Sequence, residues 1–243
     1  MMDHKELYSM SKIIQFSTIG TLMSGYCRGE RYLFDICCCK SFGLGCSEEI
    51  NGELTIYEGI TYEATAGEVL HKLTEQTMVP FLQITAFNPQ NIYSVSDITH
   101  KNAYEILSQF IQLDNIFLAV SVEGVFDHLM IRRPHRIKAG NRDIHQITNT
   151  QKVDKHKMLG GRLIGFWTPE LYGRISVPGF HFHLIDKSKK ISGHVLEFYA
   201  QQASLAFEEK ETIEITNPTS TLYKKIKIDI DQLDDIINRV EKS

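Results

Sequence analysis

Three histidines, His181, His183 and His194, carry the clearest chemical signal in the chain, within the segment GFHFHLIDKSKKISGHVLEF from Gly179 to Phe198. Imidazole nitrogen is a ready ligand for a divalent cation, at about 2.0–2.1 Å. One residue separates His181 from His183, the spacing that places two side chains on the same face of a strand. Phe180, Phe182 and Leu184 then occupy the opposite, apolar face. Asp186 to Lys190 is short and polar, and Val195, Leu196 and Phe198 resume an extended pattern, so the segment reads as a hairpin. A turn centred between Ser188 and Lys189 sets His194 directly across from His183, with His181 one diagonal step away. Cβ atoms in such positions are about 5 to 8 Å apart. A single histidine on an apolar strand is usually a core residue bonded to backbone. A third in cross-strand register favours a metal, because three imidazoles without one crowd donors and acceptors together. With no fourth ligand in the hairpin, a coordination position stays open, as in catalytic rather than structural sites.

Positioning these side chains takes a sizeable scaffold, and 243 residues can supply one. A hydrophobic fraction of 42% with 23% charged residues is that of a globular protein. The net charge of −4 gives no reason to expect nucleic acid or an anionic membrane as partner. No apolar run approaches the roughly 20 residues that cross a bilayer, and MMDHKELYSMSK lacks the apolar core of a secretory signal. A cytoplasmic protein is expected. Cys27, Cys37, Cys38, Cys39 and Cys46 match neither a zinc-ribbon spacing nor a disulfide framework; they read as reduced, mostly buried side chains.

Along the chain, Ile13 to Phe16 is a short apolar run, and Ser17 or Thr18 caps a brief helix through Leu22. Tyr32 to Phe42 reads as helical, stopping at Gly43 to Gly45. Gly52 to Tyr57 and Ile60 to Ala64 form a hairpin turning at Glu58–Gly59, and Val79 to Phe87 is a buried strand. Ser96 or Asp97 is expected to cap a helix with the apolar stripe Ala103, Ile106, Leu107, Phe110 and Ile111. Ile116 to Val122 and Val125 to Ile131 read as a second hairpin, joined at Glu123–Gly124 and running into the basic knot IRRPHR. That knot is either a solvated edge or an anion clamp, since guanidinium forks match carboxylates. Ala139 to Lys157 is polar and reads as a long loop. Gly160 to Gly179 alternates a short strand with a turn at Pro169, Ala203 to Glu208 and Thr212 to Thr216 are strand candidates, and Asp229 to Val240 has helical spacing. The expected class is α+β, with mixed β-sheets in two sheet-based halves, few helices, and the metal site on a β-hairpin. The halves are expected at 1–115 and at 116–243, which carries the three-histidine hairpin, with one compact catalytic unit as the alternative.

Several blocks, in order, resemble the acetolactate decarboxylases: FSTIGTLMSGY, GLGCSEEINGEL, the VEGVF-to-IRR stretch, GRLIGFWTPELYGRISVPGFHFH and SGHVLEF. Together they span the chain from about Phe16 onward. The resemblance implies decarboxylation of 2-acetolactate to acetoin, and a zinc ion held by His181, His183 and His194. It places the catalytic glutamate on Glu53, which the pattern of its strand alone does not single out. It places the site's arginine on Arg132, with Arg133 one step away, and a glutamate near the C-terminus on Glu241. Two sheet-based halves and a homodimer are also implied. Departures are Cys46 where threonine is usual, YCRGE where tyrosine-aspartate-glycine is frequent, and Phe180 where another histidine often stands.

The residues suit that chemistry. Zinc with open positions would chelate the ketone and hydroxyl oxygens of a small 2-hydroxy-3-keto acid. Arg132 would stabilise charge, and Glu53, with Glu241 sharing the task, would protonate the enediolate. His128 and His135 are read as surface or supporting residues. Two competing readings stay open. A cupin-like oxygenase or isomerase would usually offer a glutamate shortly after the His pair, for which Asp186 is a poor substitute. A degenerate ligand-binding homologue would keep the site but, with Cys46 and Phe180, lack turnover.

Overall fold

A computed structural model of the protein describes residues 11–33, 41–74, 76–136 and 151–241. In chain order its elements are β1 (Lys12–Phe16), α1 (Ile19–Met23), β2 (Arg31–Tyr32), β3 (Ser41–Cys46), β4 (Glu53–Tyr57), β5 (Ile60–Ala64), β6 (His71–Lys72), β7 (Met78–Val79), β8 (Phe81–Ala86) and β9 (Ile92–Thr99). There follow α2 (Ala103–Leu107), β10 (Phe117–Phe126), β11 (His128–Arg133), β12 (Lys152–His156), β13 (Leu159–Thr168), β14 (Gly179–Asp186), β15 (Ser192–Lys210), β16 (Thr212–Thr216) and α3 (Ile230–Glu241).

One sheet runs β16-β1-β8-β3-β4-β5-β6, antiparallel throughout except for the parallel pair β1–β16. The other runs β10-β13-β14-β15-β11-β12, with β9 added on β15. Because β15 also pairs with β10, strands β10, β13, β14 and β15 close into a ring. This is the expected α+β class, with mixed sheets and few helices. Two segments cross between the sheets: β9 joins the second from early in the chain, and β16 returns to the first.

Alternation along each strand decides what the sheets show each other. Phe182 and Leu184 of β14 point into the second sheet's own core with Leu118, Val120, Leu163 and Leu205. Ile185 instead joins Phe42, Leu44, Tyr62, Phe81 and Phe166 in the core between the sheets. His181 and His183 share the parity of Ile185 and so face the first sheet. In β4, Leu54 and Ile56 pack on the far side of that sheet with Phe16 and Leu82, which turns Glu53 and Thr55 toward the histidines. The Thr55 hydroxyl meets that of Ser192 at 2.8 Å, joining β4 to β15 across the interface.

Several expected elements differ. Within Tyr32 to Phe42, residues 34–40 lie outside the described residues, but Tyr32 is in strand β2 and Phe42 in β3, not in a helix. The following glycines are strand residues: a Cβ on Gly43 would come within 2.1 Å of the Gln83 carbonyl, so glycine is there for close strand packing rather than helix termination. Ser96 and Asp97 lie in β9, and the helix begins after Asn102, leaving Phe110 and Ile111 beyond its end. The expected turn at Glu123–Gly124 is absent. β10 runs straight through it, and Gly124 lets the Gln202 carbonyl approach to where a Cβ would be 2.9 Å away. β11 pairs with β12 and β15, not with β10. Lys152–His156 is a strand where a loop was expected, with 137–150 outside the described residues. Ala203 to Glu208 is the second half of a 19-residue β15.

The β14–β15 hairpin is closed by Asp186. Its carboxylate accepts hydrogen bonds from the main-chain N–H groups of Ser188 (2.9 Å), Lys190 (2.7 Å) and Ile191 (2.6 Å), and from the Ser188 hydroxyl. Burial pushes its pKa up, but the Ser188 hydroxyl and these N–H groups outweigh it, so the net shift is below the ordinary value. A carboxyl so depressed contributes stability above the ordinary aspartate range, and that contribution is lost as pH falls through the folded-state pKa. Asp186→Ala is therefore expected to lower stability by about 2 kcal/mol at pH 7. Urea midpoints of the two proteins should converge below about pH 4; a gap independent of pH contradicts the capping role.

Candidate metal centre

The hairpin register places His183 directly opposite His194, as the spacing predicts. Arg132 of β11 lies opposite His194 on its other side. One row across β14, β15 and β11 thus reads His183, His194, Arg132, a juxtaposition of residues distant in sequence. His181, two residues before His183, brings its Nε2 to 3.2 Å from His194 Nδ1. Ligand atoms of the three imidazoles all lie within 4.8 Å of one another.

Two more elements complete the site. β4 presents Glu53, whose Oε2 is 3.6 Å from His183 Nε2, and the Leu54 carbonyl accepts from His183 Nδ1 at 2.8 Å. α3 brings Glu241, whose Oε2 is 3.7 Å from both His181 Nε2 and His194 Nδ1. Arg132 stands between the two carboxyls, with Nη2 at 3.3 Å from Glu241 Oε2 and Nε at 3.9 Å from Glu53 Oε1. All six side chains are buried, none more than 9% exposed.

Burial fixes the protonation states. It lowers the pKa of His183 to about 3, against the Leu54 carbonyl and with help from Arg132. It holds His181 and His194 well below the usual value, with neighbouring imidazoles and Arg132 adding to it. At neutral pH the rings therefore carry bare lone pairs. Burial also drives the Glu53 carboxyl up to about 8, with Arg132 opposing and Glu241 reinforcing, and it raises Glu241 against Arg132. His183 Nε2 and His181 Nδ1 are buried without a hydrogen-bond partner, as is Arg132 Nε. Three neutral imidazoles, two of them with an orphaned nitrogen, beside two carboxyls fit a divalent cation: it would take up the converging lone pairs and favour ionised neighbours.

Other candidates fall elsewhere. Arg133 pairs with Asp154, and Arg136 with Glu63 and Glu68; of the basic knot only Arg132 enters the site. His128 is half-exposed, 3.5 Å from Glu197, and His135 is exposed; neither belongs to the cluster of three histidines. Asp186 is spent on the turn, which removes it as a cupin-type ligand. Cys46 is opposite Glu53 in the β3–β4 register, and its buried thiol is pushed up by burial and then by Glu53, Cys27 and Glu241, so it belongs to the wall of the site. Cys37, Cys38 and Cys39 lie outside the described residues. The Leu54 and Glu241 carbonyls, which orient two of the rings, are main-chain groups and leave no trace in residue type. Among the described residues, no helix is long and apolar enough to cross a membrane.

A family model described as alpha-acetolactate decarboxylase matches residues 13–230. The alpha-acetolactate decarboxylase of Raoultella terrigena is 28% identical over 232 residues, covering 95% of this chain and 90% of its own. That of Lactococcus lactis subsp. cremoris (strain MG1363) is 25% identical over 190 residues, covering 78% of this chain and 80% of its own. In fold, the solved alpha-acetolactate decarboxylase of Bacillus subtilis strain 168 superposes with a TM-score of 0.89 at 22% identity, covering 96% of this chain and all of that one. With the family model matching residues 13–230, nearly the whole length, the chain belongs to the alpha-acetolactate decarboxylase family of carboxy-lyases.

Proposed function

We propose that the protein releases CO2 from 2-acetolactate to give acetoin, using a zinc ion on His181, His183 and His194, with Arg132, Glu53 and Glu241 as its catalytic residues. The observation that carries this reading is the convergence of three neutral imidazoles beside a guanidinium set between two buried carboxyls. Held by these three histidines, zinc would supply Lewis acidity for the negative charge that develops on the substrate. The bond from the hydroxyl-bearing carbon to the carboxylate breaks, CO2 leaves, and the electron pair moves toward the ketone as an enediolate. Arg132 Nε, buried and without a partner, is a donor for the substrate carboxylate before this step and for an enediolate oxygen after it. Glu53, whose pKa burial pushes upward, delivers one proton to the carbon that lost CO2, which closes the balance. Glu241 faces the same space and shares the proton traffic. Cys46 lines the wall and shapes the fit. We place the protein in the cytoplasm and expect a homodimer, with 1–115 and 116–243 as its two halves.

The test is CO2 release from racemic 2-acetolactate by the purified protein, before and after chelation and after return of zinc. Expected is activity that chelation abolishes and zinc restores. Release that resists complete removal of the cation overturns the mechanism. A loaded protein without release points to the degenerate homologue, and oxygen consumption with iron to the cupin-like reading.

A further inference from the structure

The three imidazoles are held differently. His183 donates Nδ1–H to the Leu54 carbonyl, leaving Nε2 toward the site. His181 also turns Nε2 inward, to 3.2 Å from His194 Nδ1. His194 thus faces the others through Nδ1, and its Nε2 lies 3.2 Å from the main-chain oxygen of Glu241. With the Nδ1 lone pair inward, Nε2 carries the proton and donates it to that carbonyl. Glu241 is in the last turn of α3, where carbonyls lack partners within the helix. The side chain and the main chain of one residue therefore reach the site from the same helix end, the carboxylate over His181 and His194 and the carbonyl behind His194.

The helix has modest attachments of its own. Leu233, Ile237 and Val240 are buried, with Leu233 against Gly20 of α1. Arg174 forks onto Asp234 at 2.8 and 2.9 Å, but both side chains are about half exposed and such pairs contribute little. A helix held by one apolar face and an exposed pair leaves its docking open to a further contact at its end.

We propose that docking of α3 and loading of the cation site are coupled through the main-chain carbonyl of Glu241. This rests on the reading of the three histidines as cation ligands. With the helix docked, the carbonyl fixes the tautomer and ring orientation in which His194 offers Nδ1. With the helix lifted, His194 loses that acceptor and its orientation. A cation that binds the docked form more tightly must hold the helix down by the same factor, because linkage is reciprocal. Partners that orient a ligand histidine contribute about 10- to 100-fold in metal affinity, and that range sets the expected size.

The experiment is amide hydrogen exchange on the full chain, stripped of metal and then reloaded with Zn2+, after the Zn2+ stoichiometry has been measured. Exchange in 230–241 is expected to slow by about 10- to 100-fold on loading, while α2, which packs on β9 and contributes no residue to the site, keeps its rate. Glu241→Gln preserves the carbonyl and should preserve the slowing. If Zn2+ binds one per chain and 230–241 exchanges at an unchanged rate, the coupling is overturned while the cation site stands. If the slowing disappears in Glu241→Gln, the link runs through the carboxylate and the main-chain assignment is wrong. Failure to bind Zn2+ overturns the site itself, and the coupling with it.

Discussion

Glu53→Gln is expected to retain one zinc per chain and to lose about 10²- to 10⁴-fold in the rate of CO2 release. Glutamine keeps the shape and polarity of the group that lies 3.6 Å from His183 Nε2, so the imidazoles stay in place. What it lacks is the proton. The wild-type carboxyl is buried, and burial pushes its pKa up to about 8 against Arg132, the direction that suits a group delivering a proton to carbon. Zinc content and steady-state rates measured on one preparation decide the matter. A variant that turns over at the parental rate removes Glu53 from the mechanism; one that loses zinc moves its role to the metal site.

Arg132 should have the next largest effect, and on two properties that separate. It is 3% exposed, with Glu53 and Glu241 on either side. Arg132→Met removes the cation facing two buried carboxyls and is expected to cost about 3 kcal/mol or more of stability. Arg132→Lys keeps the charge but loses the fork that addresses two acceptors at once. It should unfold close to the parental midpoint yet decarboxylate about 10²- to 10³-fold more slowly, as when a preorganised donor to developing negative charge is removed. Urea unfolding combined with kcat and KM separates the two variants. Parental kinetics in Arg132→Lys would show that only charge is needed, and that the guanidinium geometry is incidental.

The role of Cys46 bears on both results. Its thiol lies across from Glu53 in the β3–β4 register, and both side chains are buried. A chain with a hydroxyl at this position would give Glu53 a polar neighbour instead, so Cys46 is part of the environment in which the Glu53 result is to be read.

The sequence by itself determined the elements whose instructions are local. Alternation in GFHFHLI and the polar turn after it were enough to pair His183 with His194, because strand parity and turn length leave little freedom. The β4–β5 hairpin and the last helix were legible for the same reason. Glycine was the misleading signal: Gly43 and Gly124 look like stops, yet serve close contacts with strands far away in the chain. Arg132, Glu53 and Glu241 could be tied to the site through family resemblance, but nothing in their own surroundings in the sequence distinguished them from a solvated edge, a strand start or a helix tail. Only the tertiary structure placed Arg132 beside His194, set the parity of β4 so that Glu53 faces the rings, and docked α3 so that a carboxylate and a carbonyl from one residue reach them. Which strand lies beside which, and which helix end covers a site, depends on packing between distant segments, and no local spacing encodes it.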